Sequence, residues 1–266
     1  MNRLQSLATI PQAARRNIRG ILADIDDTLS THGRLGADAY TAMEKLRAAG
    51  KLVIPITGRP AGWCDHIARM WPVDAVVGEN GAFYMRHDDV ARKLVRRFAA
   101  GADERAANRN RIAAIGEAIL RAVPGAALAS DQYYRETDLA IDFCEDVAPL
   151  PRPAIDRIVA LMEAEGMTAK VSSIHVNGWF GGYDKLAMTR TLLAEVFATD
   201  LDAARDRFVF AGDSPNDAPM FAYFPNAVGV ANVRPFLDRI AVPPAYITQR
   251  EAGAGFVELT DALLAP

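Results

Sequence analysis

Ile18-Arg19-Gly20-Ile21-Leu22-Ala23-Asp24-Ile25-Asp26-Asp27-Thr28-Leu29 passes from an apolar segment straight into a group of acids. A short apolar run bounded by charge reads as a buried strand, so Asp24 and Asp26 stand where that strand ends in a loop. In an open parallel sheet, ligands bind outside the carboxyl ends of the strands. A carboxylate there can act as a nucleophile and form an aspartyl-phosphate. A second carboxyl two residues on can give a proton to the leaving oxygen. The plainer alternative is a capped helix start, with Asp27 or Thr28 accepting from free backbone N–H groups.

Outward from this stretch, apolar β-branched runs alternate with helical patterns, the signature of a parallel sheet covered on both faces. Strands are predicted at 18–24, 51–56, 75–77, 207–211, 227–230 and 245–248, with helices at 37–49, 60–70, 185–198 and 217–223. The stretch 84–181 differs. It has two helical stripes (Ile112, Ile115, Ile119, Val123; then Ile155, Ile158, Val159, Met162) and strand-like runs at 139–143, 169–172 and 174–180. The fold class expected is therefore α/β: a Rossmann-like doubly wound parallel sheet core (18–83 and 182–266) with an inserted α+β cap domain (84–181). Residues 1–17 read as a polar N-terminal extension.

Three further strings bring chemistry to strand ends or helix starts. Ile54-Pro55-Ile56-Thr57-Gly58-Arg59-Pro60 ends a strand with a hydroxyl, and Thr57 with nearby backbone N–H groups suits a phosphate; the alternative is an ordinary strand-to-helix turn. Asp184-Lys185-Leu186 opens an amphipathic helix. A lysine there opposes the helix dipole, and phosphate capture would explain it, against the alternative of an exposed helix lysine. Phe208-Val209-Phe210-Ala211-Gly212-Asp213-Ser214-Pro215-Asn216-Asp217 delivers two more carboxylates from a buried strand. Hard oxygen ligands at this density suit Mg²⁺, unless they are only turn and cap acids.

Taken in order, Asp24-Ile25-Asp26-Asp27-Thr28, Thr57-Gly58-Arg59, Lys185 and Gly212-Asp213-Ser214-Pro215-Asn216-Asp217 resemble the four motifs of the haloacid dehalogenase (HAD) superfamily. Lys185 is followed by Leu where the family usually shows Gly. The similarity runs from Ile18 nearly to the C-terminus, including Gly78-Glu79-Asn80-Gly81-Ala82 and Val228-Gly229-Val230-Ala231-Asn232. The insert between the second and third motifs resembles the C2-type cap of subclass IIB, which holds Cof-like and sugar-phosphate phosphatases.

That resemblance implies a Mg²⁺-dependent phosphatase of a small phosphorylated metabolite, a sugar or polyol phosphate. Asp24 would be the nucleophile and Asp26 the proton donor, with Thr57 and Lys185 holding phosphoryl oxygens. The metal would be held by Asp24, the Asp26 backbone carbonyl and Asp213, supported by Asn216 and Asp217. The substrate would meet Thr57, Gly58, Arg59, Asn80 and Lys185 in the core. In the cap, period-2 alternation puts Ser173, His175 and Asn177 on one face, a polar surface for sugar hydroxyls. Arg135 and Asp138 are further candidates, with surface ion pairing as the alternative. A phosphomutase of the same superfamily and a non-catalytic phospho-aspartate sensor remain competing readings.

Composition narrows the partners. Thirty basic against 33 acidic residues give a formal charge of −3, which offers no basic field for nucleic acid. Cys64 and Cys144 belong to no Cys-x-x-Cys pair, and no run approaches a membrane span. With no apolar signal region near Arg15-Arg16, the expectation is a cytoplasmic protein with a small-molecule phosphate ester substrate and no obligate protein partner.

Overall fold

The computed structural model describes residues 4–266. The strands in chain order are β1 (Gln5–Ser6), β2 (Gly20–Ala23), β3 (Ser30–Thr31), β4 (Arg34–Leu35), β5 (Leu52–Pro55), β6 (Val76–Gly78), β7 (Phe83–Asp88) and β8 (Lys93–Phe98). There follow β9 (Ala127–Leu128), β10 (Asp138–Asp142), β11 (Thr168–Val171), β12 (His175–Trp179), β13 (Phe208–Gly212), β14 (Val228–Gly229) and β15 (Tyr246–Ile247). The helices are α1 (Gln12–Asn17), α2 (Ala37–Ala48), α3 (Ala61–Met70), α4 (Ala102–Ala122), α5 (Arg152–Ala164), α6 (Lys185–Phe197), α7 (Leu201–Ala204), α8 (Ala218–Tyr223) and α9 (Ala252–Leu264).

Six strands form one parallel sheet in the order β1-β15-β14-β13-β2-β5. Both faces of its centre are apolar, as parallel strands under helices require. Ile21, Ala23 and Val53 pack with α2, α3 and α9, whereas the alternate residues Leu22 and Ile54 pack with α6 and α8. Gly20 is needed for this packing, because a Cβ there would lie 2.6 Å from the Phe208 ring. Each fully buried Leu, Ile or Phe in these layers contributes roughly 1.5–3 kcal/mol. The register sets Ala23 beside both Ala211 and Pro55, so Asp24 and Asp213 leave the sheet at the same edge.

The inserted unit is an antiparallel sheet, β11-β12-β10-β9, with α4 and α5 on one face. Ile112, Ile115 and Ile119 of α4 and Ile155, Ile158 and Met162 of α5 cover Leu139, Ile141 and Val176. Alternation leaves Asp138, His175 and Asn177 on the other face.

Three expectations need correction. Residues 1–17 were expected to be a polar extension, and residues 1–3 lie outside the described residues. From Leu4 on, however, the segment is part of the core: β1 pairs with β15, and Leu7 and Ile10 are buried beside α9. The strand at 75–77 was expected in the parallel sheet. It touches β5 through a single parallel bridge, Ile56 to Val77, and otherwise pairs antiparallel with β7. Finally, the expected boundary at Tyr84 falls inside a hairpin, β7-β8, whose Phe83, Tyr84 and Met85 belong to the core's apolar clusters. The apolar cluster of the insert begins only at Ile112. No helix among the described residues is long and apolar enough to cross a membrane.

Candidate active site

Asp24 continues β2, and its backbone N–H donates to Ala211 O of the neighbouring strand, which fixes its position at the sheet edge. Its Oδ1 accepts from Lys185 Nζ at 2.7 Å, and the same ammonium donates to Asp217 Oδ1 at 2.8 Å. Asp217 Oδ2 accepts from the Asp213 backbone N–H at 3.2 Å. Gly212 makes room for this, since a Cβ there would sit 2.4 Å from Asp217 Oδ2. Carboxylate oxygens of Asp24, Asp213 and Asp217 all lie within 4.8 Å of one another. Lys185 is buried at the first turn of α6, where Asp184 caps the helix by accepting from Ala187 N. Its unfavourable place against the helix dipole is thus offset by two carboxylates.

Burial dominates the electrostatics. It pushes the Asp24 carboxyl up to about 7 despite the opposing pull of Lys185. Burial, with Asp217 and Asp24 alongside, holds Asp213 well above the carboxylate range. Burial opposes the charge on Lys185, but Asp217 and Asp24 outweigh it and raise its pKa. With all three carboxyls ionised, one ammonium leaves two negative charges, the complement of a divalent cation, so a bound cation would bring Asp24 and Asp213 back to their ionised forms. An all-oxygen set of this kind fits Mg²⁺, which takes a few carboxylates and keeps water or phosphate in its remaining positions.

Thr57 is fully buried, and its Oγ1 accepts from Arg59 N at 3.0 Å, leaving its own proton to donate. Arg59 is the joint between core and cap. Its guanidinium forks onto Asp26 (Nε to Oδ2 3.0 Å, Nη2 to Oδ1 2.8 Å). It also donates to Glu145 Oε1 of the insert at 2.8 Å and reaches Asp131 Oδ2 at 3.3 Å, with Trp63 against its face. Glu145 Oε2 lies 2.9 Å from His175 Nε2, within ion-pair distance but off the line of a hydrogen bond. His175 and Arg59 together hold the Glu145 carboxyl down at about 2. Arg135 spans the same boundary: it is buried, pairs with Asp131 and Asp138, and donates to Gly58 O at 2.9 Å.

No family model and no curated protein matches the chain by sequence. Its structure does have counterparts. Protein 0175 of Thermoplasma acidophilum superposes with a TM-score of 0.68 at 19% identity, over 92% of this chain and 98% of that one. A haloacid dehalogenase-like hydrolase from Bacteroides thetaiotaomicron gives 0.63 at 13%, over 93% and 100%. The sucrose-phosphatase of Synechocystis sp. PCC6803 gives 0.62 at 17%, over 92% and 97%. The chain has the haloacid dehalogenase fold.

Within this HAD fold the structure brings together most of the residues singled out from sequence. Asp24, Asp26, Gly58, Arg59 and Asn216 share one small cavity with Arg135, Ser173, His175 and Asn177 of the insert. That cavity holds about 20 Å³, room for roughly one water, so the insert is closed over the sheet edge here. Asn216 lines the same cavity, and its Oδ1 accepts from Ser214 Oγ at 2.8 Å. Asn177 Nδ2 is occupied by Asp138 at 3.1 Å. Asn80 lines a neighbouring cleft instead, in the left-handed region at φ 56°. Arg135 and Asp138 form a buried ion pair, where surface pairing had been the alternative to substrate contact.

Sequence reasoning missed Glu79, Asp131 and Glu145. Glu79 is fully buried and accepts from Ala61 N at 2.9 Å in the core, and from Glu136 N at 2.9 Å and Thr137 N at 2.7 Å in the insert. From sequence, Glu79 stands only as part of the string Gly78-Glu79-Asn80-Gly81-Ala82; the structure adds that Glu79, Asn80 and Gly81 all have positive φ, which marks a functional or strained turn. Nothing adjacent in sequence distinguishes Asp131 or Glu145 from surface acids.

Proposed function

We propose that this chain is a Mg²⁺-dependent phosphatase of the HAD superfamily that hydrolyses a small phosphorylated metabolite through an aspartyl-phosphate on Asp24. The observation that carries the reading is the convergence of Asp24, Asp213 and Asp217 on Lys185 at the carboxyl edge of the parallel sheet. A sugar or polyol phosphate is the substrate class the resemblance favours. The setting is a soluble cytoplasmic one without nucleic acid or obligate protein partners.

An Asp24 oxygen attacks phosphorus as the P–O bond to the leaving alcohol breaks. Asp26 gives that oxygen its proton, then takes one from the water that hydrolyses the acyl phosphate. Lys185 and the Thr57 hydroxyl hold the oxygens that do not leave, which is the positioning and charge neutralisation phosphoryl transfer depends on. Asp24, Asp213 and Asp217 would hold Mg²⁺, whose charge neutralises the phosphoryl oxygens. Asp26 accepts from Arg59 in the closed form, so proton donation requires that fork to open, with the incoming phosphate as the competing acceptor. The single-water volume of the cavity also requires the cap to open before substrate enters.

The test is inorganic phosphate release from hexose, pentose, disaccharide and polyol phosphates, with and without Mg²⁺, for the wild type, Asp24→Asn and Asp26→Asn. Metal-dependent turnover lost in both variants supports the proposal. Absence of release from every ester, with labelled phosphate persisting on Asp24, would favour the sensor reading, and transfer back to substrate without release would favour the mutase.

A further inference from the structure

We propose that Lys170 makes the enzyme selective for phosphate esters whose leaving group carries a second anionic group, a carboxylate or another phosphate. This rests on the phosphatase reading above and names the substrate class within it.

The register of the insert's sheet places the residue. Lys170 stands opposite Asn177, and Thr168 opposite Trp179. Directly opposed residues of an antiparallel pair share a face, and Asn177 lines the catalytic cavity. Lys170 therefore projects from the face turned to the core, while the alternate residues Ala169 and Val171 pack into the insert's own apolar cluster. Beneath that face lies a second cleft of about 300 Å³, lined by Lys170, Thr168, Asn80, Tyr183, Lys185 and Asn216 among others. Asn216 lines both this cleft and the catalytic cavity, so the two adjoin at the Pro215–Asp217 turn. A leaving group whose oxygen meets Asp26 in the catalytic cavity reaches this cleft past Asn216.

The cleft is rich in donors that lack acceptors. Lys170 makes no ion pair or side-chain hydrogen bond among the described residues, unlike Lys185 in the same wall. Asn80 is 4% exposed, and its Nδ2 has no partner. The carboxylate in the lining, Asp184, is exposed and uses Oδ1 to cap α6. The buried Asn80 donor is costly unless an acceptor arrives with the ligand, and the exposed Lys170 brings an uncommitted positive charge to the same wall. An ammonium and an amide N–H match a carboxylate or phosphate, whereas an uncharged polyol brings as many donors as acceptors. On the polar face over Asp26, Asn177 donates to Asp138 and Glu145 accepts from Arg59, while His175 Nε2 has no hydrogen-bond partner. The volume stands at the lower end of ligand pockets, about 300–1,000 Å³, which suits a leaving group of a few carbons.

The experiment is steady-state kinetics with Mg²⁺ on glycerol 3-phosphate (neutral leaving group), 3-phosphoglycerate (carboxylate) and a sugar bisphosphate (second phosphate), with p-nitrophenyl phosphate as the common reference. The wild type is expected to prefer one of the two anionic esters, and the preferred arm identifies the group read. Lys170→Ala should lower kcat/KM on that ester roughly ten- to hundredfold, the usual worth of a charge-assisted hydrogen bond, through KM. Glycerol 3-phosphate and p-nitrophenyl phosphate should be unaffected. Lys170→Arg should retain the preference and Lys170→Glu abolish it. Equal loss on all esters, no loss on any, or wild-type preference for the neutral ester overturns the proposal. Thermal shifts of Asp24→Asn with the same esters give the selectivity without turnover: if Lys170→Ala in that background leaves the ranking intact, the inference fails whatever becomes of the phosphatase reading. Loss of all turnover with the ranking still dependent on Lys170 refutes only the latter.

Discussion

Glu145→Gln should unlatch the cap. The Glu145 carboxylate accepts from Arg59 Nη2 at 2.8 Å and lies 2.9 Å from His175 Nε2, and these two neighbours, His175 foremost, hold its pKa down from 4.5 to about 2. His175 lies in the insert with Glu145, so only the Arg59 hydrogen bond crosses to the core; a partly exposed charge-assisted bond of this kind is worth about 2 kcal/mol. A loss of that size moves the closed-to-open ratio roughly 30-fold toward open. The glutamine keeps the shape and one acceptor, so the core should remain folded. Small-angle scattering should show a larger radius of gyration, and hydrogen exchange should rise at Val171–Ile174. The sign with pH follows from a depressed carboxyl: the latch is fully present above about 4.5 and is lost as pH falls toward 2. Identical scattering and exchange for the two proteins at neutral pH would refute the latch.

Three other outcomes are expected. Mg²⁺ at a hundred times its dissociation constant should stabilise the wild type by about 2.7 kcal/mol, a rise of roughly 5–10 °C in Tm, and Asp213→Asn should abolish the rise; an equal shift in both would place the ion elsewhere. Burial raises the Glu79 carboxyl from 4.5 to about 7, so the folded state binds its proton more tightly, and stability should fall as pH rises from about 4.5 to 7. Urea unfolding of Glu79→Gln should show a flatter profile across that window, and an unchanged slope would contradict the assignment. Leu7→Ala should cost about 2–5 kcal/mol by denaturant titration, as for a buried leucine; a change within about 0.5 kcal/mol would mean the N-terminal segment is only decorative.

The fold was legible wherever a pattern is local. Gly20–Ala23 and Phe208–Gly212 are short, apolar and followed by acids, so the strands and their edge could be read together. Lys185 was legible because it violates the helix dipole, a local anomaly with a distant cause. What the sequence did not disclose was pairing across distance. Val76–Gly78 has strand composition whether its neighbour runs parallel or antiparallel, and only the hairpin at Phe83–Phe98 decides. Leu7 and Ile10 are single apolar residues among polar ones, too few to show a period. Glu79, Asp131 and Glu145 resemble surface acids until two separate layers close on them.

The two connections between core and insert run side by side. Ala99 N donates to Ala82 O at 2.8 Å, and Gly81, at φ 105°, abuts the backbone of Asp184 so closely that a Cβ would lie 2.0 Å from its carbonyl oxygen. The chain thus departs and returns through what is nearly a single point. Doubling the length of a segment joined at such a point adds only about 0.6 kcal/mol of closure entropy. The core scaffold can therefore exchange one insert for another of different length or shape without reorganising its sheet, which, on the phosphatase reading proposed above, would make substrate choice a detachable property of the molecule.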